Sequence, residues 1–351
     1  MSEYLIQDST LTDIADAIRA KDGTTASMTA SEMASKIGAI KGGFPNGTEW
    51  TQSDLTTVAC SGVHYGNGIW VAGTDNGLYY STTGKSWTQS NVTSGTCYGI
   101  CYANGLWVAS NNTVSNKVCY STDGITWTGI SDYNHANMTG ILYVDGLWVS
   151  YSTNNGAYYS TTGKSWSTSL SIATRYIYYG NGIWVAGTYN GLYYSTTGKS
   201  WTQSNVTSGD FNKVYYANGM WLAACSSGIY YSTTGKSWAQ SNIDTNSSSC
   251  FIGYGNGLWV VANGYMFCYY STDGKTWSDA SGDTGGFTCG FYASGIWVIG
   301  SATKGMFYST TGKSWTQSNT SNIYCRSFCN GNGIWVAATD NGMYYSVTWE
   351  P

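Results

Sequence analysis

A tryptophan in the pattern Gly-[Ile/Leu/Met]-Trp-[Val/Leu] recurs eight times along this chain of 351 residues, at intervals of 36 to 41 residues. The eleven residues STTGKSWTQSN also occur three times without change, at Ser81–Asn91, Ser195–Asn205 and Ser309–Asn319. Self-similarity at such a period indicates repeated supersecondary units that stack on one another. The repeat therefore constrains the fold more than any other feature. The landmark tryptophans are Trp70, Trp107, Trp148, Trp184, Trp221, Trp259, Trp297 and Trp335.

Each unit reads as four short strands joined by turns. In the first unit, Asn67-Gly68 and Asn76-Gly77 separate short runs rich in β-branched and aromatic residues. Asn-Gly between such runs is a strong hairpin signal, because both turn positions need a positive φ. Four antiparallel strands in a unit of this length are typical of one propeller blade. Eight units predict an all-β, eight-bladed β-propeller of four-stranded antiparallel blades, over residues 44–351.

The last unit stops before its fourth strand, whereas a matching segment precedes the first unit. Residues 46–53 read NGTEWTQS, which corresponds to the TGKSWTQS of the complete units. A closed ring needs its first and last blades joined. We therefore expect residues 47–53 to supply the outer strand of blade eight.

The remaining tryptophans and the cysteines follow the same repeat. Eight outer tryptophans stand on the predicted fourth strands, and this regular position indicates core packing. Seven of the ten cysteines lie six to ten residues before a landmark tryptophan, and the sequence has neither a CxxC motif nor zinc-like spacing. We expect buried free thiols, no metal and no other cofactor. The outer tryptophans are Trp50, Trp87, Trp127, Trp166, Trp201, Trp238, Trp277 and Trp315.

Composition argues against several classes of partner. Only 10% of the residues are charged and the formal net charge is −4, so no basic field attracts nucleic acid. No run of 18 apolar residues predicts membrane insertion, and the N-terminus lacks the order of a signal peptide. We therefore expect a soluble chain that is not exported by the Sec pathway.

In two units the repeated turn reads STDGITW, at 121–127, and STDGKTW, at 271–277. This stretch resembles the Asp-box, or BNR, turn of sialidase-like propellers, although five other units place Thr where that Asp stands. Asp or Thr can accept hydrogen bonds that cap such a turn. In the sialidase-like family this turn is structural and lies away from the active site. The resemblance implies that the most repeated residues are not the functional ones.

A sialidase-type site also needs three arginines that bind the substrate carboxylate, and the propeller contains only Arg175 and Arg326. No carboxylate pair of the glycosidase kind stands out among its turns. His64 and His135 have no serine or cysteine motif beside them. We predict a protein that is not an enzyme, with a propeller glycoside hydrolase as the alternative.

Comparison of the units separates a fixed part from a changing part. The first and third turns of each blade hardly change, whereas the second turns, the links between blades and the starts of the first strands differ in length and chemistry. Antiparallel topology places these two groups at opposite ends of the propeller. The changing end gains Tyr, Asn, Arg and His, which suit adaptable recognition of a glycan or a protein receptor. Its candidate binding residues are Tyr98, Tyr133, His135, Arg175, Tyr176, Tyr189, Asn190, Asn212, Tyr265 and Arg326.

Residues 1–43 predict two short helices, the second beginning with the capping box Thr29-Ala-Ser-Glu32. Such a small piece rarely folds alone, so we expect it to dock on the propeller, on further copies of itself or on a larger assembly, and we favour the assembly. The segment also resembles N-terminal segments of phage and prophage tail and fibre proteins. This resemblance implies attachment to a virion or phage-like particle that is made in the bacterial cytoplasm and released by lysis. A purely structural or designed repeat protein is a further alternative.

Overall fold

The computed structural model describes residues 47–112, 117–130, 138–243, 250–264, 268–280 and 286–347. These residues form eight four-stranded antiparallel sheets, which are the blades of an eight-bladed β-propeller. The prediction of an all-β propeller is confirmed. The helices predicted in residues 1–43 lie outside the described residues. Within the described part of the chain, no helix has the length and apolar character needed to cross a membrane.

The strands fall into four positions within the blades, named from the axis outwards. The inner strands are β2 (Cys60–Gly66), β6 (Ile100–Ala103), β10 (Gly140–Val144), β14 (Thr174–Gly180), β18 (Phe211–Ala217), β22 (Cys250–Gly255), β26 (Phe287–Ala293) and β30 (Cys325–Gly331). The second strands are β3 (Ile69–Thr74), β7 (Leu106–Ser110), β11 (Leu147–Ser152), β15 (Ile183–Thr188), β19 (Met220–Cys225), β23 (Leu258–Asn263), β27 (Ile296–Ser301) and β31 (Ile334–Thr339). The third strands are β4 (Gly77–Ser81), β8 (Val118–Ser121), β12 (Gly156–Ser160), β16 (Gly191–Ser195), β20 (Gly228–Ser232), β24 (Cys268–Ser271), β28 (Met306–Ser309) and β32 (Gly342–Val347). The outer strands are β5 (Thr88–Gln89), β9 (Thr128–Gly129), β13 (Ser167–Leu170), β17 (Thr202–Gln203), β21 (Ala239–Gln240), β25 (Ser278–Asp279), β29 (Thr316–Gln317) and β1 (Thr51–Gln52).

The ring closes as the sequence predicts. Strand β1 pairs antiparallel with β32, with Thr51 opposite Tyr345 and Gln52 opposite Tyr344. At the axis, the inner strand β2 of blade 1 contacts the inner strand β30 of blade 8. The start of the propeller therefore completes its last blade, so no sheet of the ring is left short of its outer strand.

The landmark tryptophans form the core between blades. All eight are at most 3% exposed. In seven blades a tyrosine five residues earlier packs on the tryptophan, with ring centroids 4.6 to 4.9 Å apart. Blade 8 has Asn330 at this position, and Phe291 of blade 7 contacts Trp335 edge-on at 5.5 Å. Aromatic pairs of this kind add to the energy of burial.

Most of the outer tryptophans and of the described cysteines are buried as predicted, with five partial exceptions. Six outer tryptophans are buried, whereas Trp166 and Trp201 are half-buried. The nine cysteines whose side chains the structure describes are free thiols. Burial raises the pKa of the Cys97 thiol to about 12, which keeps it protonated at neutral pH. Six of the nine are buried core residues, whereas Cys101, Cys289 and Cys329 are half-buried.

Candidate functional site at the variable end of the channel

The turns lie at two ends of the propeller. The constant end carries the first turns, between inner and second strands, and the third turns, between third and outer strands. At all eight first turns the residue before glycine has a φ between 46° and 52°. This is the narrow geometry of the tight hairpin turn that Asn-Gly favours. The constant end therefore repeats one backbone structure around the ring.

The variable end carries the second turns, the links between blades and the starts of the inner strands. The six second-turn glycines in the described residues have φ values from 86°, at Gly305, to 128°, at Gly228. Their flanking residues also differ from blade to blade. The two ends thus differ in backbone geometry as well as in sequence.

Within the repeated eleven residues, the first side chains hold their own turn. Ser81 Oγ accepts hydrogen bonds from the backbone N–H groups of Thr83, at 3.1 Å, and Gly84, at 2.8 Å. Thr83 Oγ1 accepts from the N–H groups of Lys85, at 3.2 Å, and Ser86, at 3.3 Å. These bonds satisfy backbone donors that the tight turn would otherwise leave unpaired.

Where aspartate replaces this threonine, it performs the same task with a charge. Asp123 Oδ1 accepts hydrogen bonds from the N–H groups of Thr126 and Ile125, both at 2.8 Å. The pKa of Asp123 is lowered, chiefly by these two backbone donors, because they stabilise the carboxylate. The aspartates of this turn are thus occupied as structural caps.

The later residues of the repeat join neighbouring blades. Lys199 Nζ lies 5.5 Å from the ring centroid of Tyr159 in the preceding blade, and five other turn lysines make an equivalent contact. The Asn205 side chain pairs with the backbone of Trp238 in the next blade, since its Nδ2 donates to the carbonyl at 2.9 Å and its Oδ1 accepts from the N–H at 2.8 Å. Four of the eleven positions in STTGKSWTQSN, those of Ser81, Thr83, Lys199 and Asn205, thus stabilise a turn or an interface between blades.

At the variable end, several inner strands begin with a β-bulge. The ladder with the second strand skips one residue at Arg175, at Asn212 and at Arg326, because Thr174, Phe211 and Cys325 pair normally and pairing resumes two residues later. A bulge inserts an unpaired residue and redirects its side chain. Three predicted site residues therefore occupy the same special backbone position in different blades.

Arg175 and Tyr189 form a cluster with an acid that the sequence reasoning missed. Arg175 Nε lies 2.5 Å from Asp210 Oδ1, and Arg175 Nη2 donates to Asp210 Oδ2 at 2.7 Å. The Arg175 guanidinium also lies 4.2 Å from the ring centroid of Tyr189. Asp210 neutralises the charge of Arg175. The guanidinium therefore attracts an anion less strongly than a partly exposed, unpaired arginine would. Asn212, two residues after Asp210, has an amide shielded from solvent with no hydrogen-bond partner among the described residues.

Three other predicted site residues converge on one cavity. Tyr98, Tyr176 and Arg326 line a space of about 380 Å³ at the axis, which we name the variable-end chamber. Tyr98 is 41% exposed. Asn190 lies outside this lining, in the second turn of blade 4, where its carbonyl accepts a hydrogen bond from Gln203 Nε2 at 3.0 Å. Tyr133, His135 and Tyr265 lie outside the described residues.

Sequence reasoning missed most of the chamber wall, although an internal signal marks it. Eight residues before the landmark tryptophan, blades 1 to 3 have glycine, whereas blades 4 to 6 have Tyr176, Lys213 and Phe251. The three glycines line the chamber, and so does Tyr151 of the second strand β11. The chamber wall therefore has backbone in place of side chains at these three positions. The missed lining residues include Ser61, Gly62, Gly99, Thr139, Gly140 and Tyr151.

A second space of about 320 Å³, which we name the aromatic chamber, lies among the inner strands of blades 4 to 7. Tyr178, Tyr215 and Phe291 line it, and these residues stand further along the inner strands, towards the constant end. Lys213 Nζ lies 4.1 Å from the ring centroid of Tyr176. Because Tyr176 lines both spaces, this pair stands between the two chambers.

His64 lies on the inner strand of blade 1, next to Val63 of the chamber wall. Its ring packs edge-on against Trp107 at 5.8 Å. Burial lowers the pKa of His64 to about 4, because the charged form would lose its hydration. His64 is thus a neutral packing residue at physiological pH.

The linings of both chambers are rich in aromatic and hydroxyl-bearing side chains. Their described linings contain hydroxyls, aromatic rings, Lys213 and Arg326 but no Asp, Glu or His. Among the residues that the structure describes, no group of three His, Cys, Asp or Glu side chains is placed to hold a metal ion. The groups available there can form hydrogen bonds and pack against a ligand.

Comparison with known proteins identifies the fold. No protein-family model and no curated protein sequence matches this chain. The computationally designed Ika8 protein has 11% sequence identity and a TM-score of 0.65, over 84% of this chain and 98% of that one. Sqt1 from Saccharomyces cerevisiae has 10% identity and a TM-score of 0.64, over 88% of this chain and 100% of that one. YCF48 from Cyanidioschyzon merolae has 12% identity and a TM-score of 0.58, over 85% of this chain and 98% of that one. At such identities the similarity shows a shared propeller fold alone.

Proposed function

We propose that this protein is a non-enzymatic receptor-binding or adhesion protein that recognises a cell-surface glycan or protein through its variable end. The observation that carries the proposal is the convergence of Tyr98, Tyr176 and Arg326 on one chamber at that end. Random change of loop sequences alone would place different residues at scattered positions. Here, aromatic and hydrogen-bonding side chains from three blades meet at the mouth of one cavity, which is the usual form of a binding site.

The proposal extends to the place of the protein in an assembly. Residues 1–43 would attach the chain to a phage or phage-like particle, and the propeller would be the distal tip of a tail fibre. The resemblance of this segment to tail and fibre proteins supports the attachment. A low net charge of −4 agrees with a receptor other than nucleic acid.

A glycoside hydrolase is the enzymatic alternative, and it requires a specific pair of residues. Its two catalytic carboxylates must lie about 5–10 Å apart at the bound sugar. Neither chamber has a carboxylate in its described lining. A retained glycan that is never cleaved would distinguish binding from hydrolysis.

The experiment is binding of the full-length chain to whole Gram-positive cells and to a glycan array. The test variant changes Tyr98, Arg175, Tyr189 and Arg326 to Ala. Its matched control changes the exposed serines Ser86, Ser200, Ser237 and Ser314 of the constant end to Ala. Circular dichroism checks that both variants fold.

We expect the variable-end variant to lose binding and the serine variant to retain it. Loss of binding in the serine variant alone would move the site to the constant end. Absence of binding by the unaltered chain would refute the proposal and favour a structural role. Release of sugar from the array would favour the hydrolase.

A further inference from the structure

We infer that the variable-end chamber holds one uncharged sugar ring, the terminal hexose of a glycan, between the glycine wall of blades 1 to 3 and the tyrosines of blades 2 to 4. This inference rests on the proposed function, because it names the ligand class of the same end. It also places the sugar in the central channel, among the inner strands, and not on the surface loops.

The glycine wall makes room that the backbone does not require. Gly62 and Gly99 do not have left-handed φ values, so the chain conformation at these positions accepts other residues. A Cβ at Gly62 would lie 3.2 Å from the Tyr98 carbonyl oxygen, and one at Gly99 would lie 3.1 Å from Gly140 Cα. These contacts are tight but need a shift of only a few tenths of an ångström. Blades 4 to 8 carry side chains at the same position, so the repeat tolerates them.

At the third glycine, a tyrosine uses the vacated space. A Cβ at Gly140 would overlap the ring of Tyr151, which reaches over from the second strand. The corresponding residues of blades 1 and 4 are Gly73 and Gly187. The Tyr151 ring lies 5.6 Å from the Tyr176 ring, and the two form one aromatic wall of the chamber. Burial, and then the neighbouring Tyr176, raise the pKa of Tyr151, so its hydroxyl remains a neutral donor.

The size of the chamber selects a small ligand. Its volume of about 380 Å³ is at the lower end of the range of about 300–1,000 Å³ for small-molecule sites. One sugar ring suits this space, and the rest of a glycan would extend out past Tyr98. The partly exposed Tyr98 ring can pack on the apolar face of a sugar while Ser61 and Thr139 supply hydroxyl groups.

The charges favour an uncharged ligand. Arg326 is the one cation in the described lining of this chamber. Its side chain is exposed and its guanidinium lies 5.0 Å from the ring centroid of Tyr324, whereas the other polar side chains of the lining are neutral hydroxyls. Water and salt screen an exposed charge, which weakens its attraction for an anion. Arg326 is then a hydrogen-bond donor to sugar hydroxyls.

The test uses the full chain with free D-glucose, D-galactose, D-mannose and N-acetyl-D-glucosamine as probes, with N-acetylneuraminic acid as the charged comparison. Saturation-transfer NMR detects binding of each sugar, and the same sugars compete with cell binding. Gly62→Phe introduces the side chain that blade 6 has at this position, Phe251, and fills the chamber. Ser86→Phe is its control, since it adds the same ring at an exposed position of the constant end, outside the chamber.

We expect at least one neutral sugar to bind, and Gly62→Phe to weaken it by at least about tenfold, which corresponds to about 1.4 kcal/mol. Ser86→Phe should stay within about threefold of the unaltered chain. If Gly62→Phe does not fold, Tyr98→Ala and Thr139→Val carry the test, with losses of about fivefold or more expected for Tyr98→Ala.

Three results would overturn the inference. If cell binding persists in Gly62→Phe and no neutral sugar competes with it, the chamber is excluded as the binding site. The proposed function would remain intact. Stronger binding of N-acetylneuraminic acid than of the neutral sugars would reverse the ligand class. A chain that binds neither cells nor sugars would refute both proposals together.

Discussion

The first and second turns of the blades lie at opposite ends of the same strands, yet their backbones are constrained to different degrees. The residue before glycine in the first turns varies in φ only between 46° and 52°, whereas the glycine of the second turns varies from 86° to 128°. The third turns share the uniformity of the first, and their lysines contact the neighbouring blade. Substitution of a turn lysine at the constant end therefore disturbs an interface as well as a turn. Contacts at the variable end differ from blade to blade, as the ion pair of Arg175 with Asp210 shows.

The largest test of this contrast compares a core position with a variable-end position. Trp221 is fully buried and contacts Tyr216 at 4.9 Å. Trp221→Ala should reduce the free energy of unfolding by about 3–5 kcal/mol, because it leaves a cavity between blades. Tyr189→Ala should cost less than about 1 kcal/mol, the value of its contact with Arg175. Denaturant unfolding measures both, and comparable losses would refute the contrast.

The pH dependence of stability tests the inner strand of blade 1, which runs between the two ends and carries His64. The unfolded chain binds a proton at His64 near pH 6.5, whereas burial lowers the folded pKa to about 4. The stabilisation by neutral His64 is complete above pH 6.5 and is lost as the pH falls towards 4, by about 3 kcal/mol.

His64→Phe is the matched control, since blade 7 has Phe291 at this position. Carboxylates titrate equally in both proteins, so the difference in unfolding free energy between them isolates the histidine. A difference that does not change between pH 7 and pH 4 would contradict the burial of His64.

A smaller effect is expected at the links between blades. Asn205→Ala removes two hydrogen bonds to the backbone of Trp238 and should cost about 1–3 kcal/mol. Asn190→Ala at the variable end should change stability by less than about 0.5 kcal/mol. Thermal and denaturant unfolding compare the pair. An equal effect of the two substitutions would show that the link asparagine has no special role.

The smallest prediction repairs an imperfect repeat. Blade 2 has Ile125 where six blades have the lysine that lies over a tyrosine of the preceding blade. Because the equivalent tyrosine of blade 1 is Tyr80, Ile125→Lys should place a cation over its ring. We expect this contact to stabilise the protein by about 0.5 kcal/mol. Ile125→Gln is the control without charge. Equal stability of the two variants would show that the lysine contact contributes nothing measurable.

The blades were predictable because their determinants are local. Asn-Gly turns, capping Ser and Thr, and alternating aromatic residues act within a few positions, and eight copies make the pattern unambiguous. Closure by residues 47–53 was also predictable, since a missing strand and a spare strand match in sequence. The end that carries Tyr98, Arg175 and Arg326 followed from antiparallel topology alone.

The partners of the candidate residues depend on contacts between blades. Asp210 lies 35 positions from Arg175, and no local pattern indicates that the two form an ion pair. The chamber likewise needs glycines from three successive blades and the Tyr151 ring over one of them, a coincidence in space that no single repeat contains. The sequence by itself determined the repeat, the blade and the two ends, because local turn chemistry specifies them. Only the tertiary structure decided which arginine is already paired and where the channel is open, because both depend on how neighbouring blades meet.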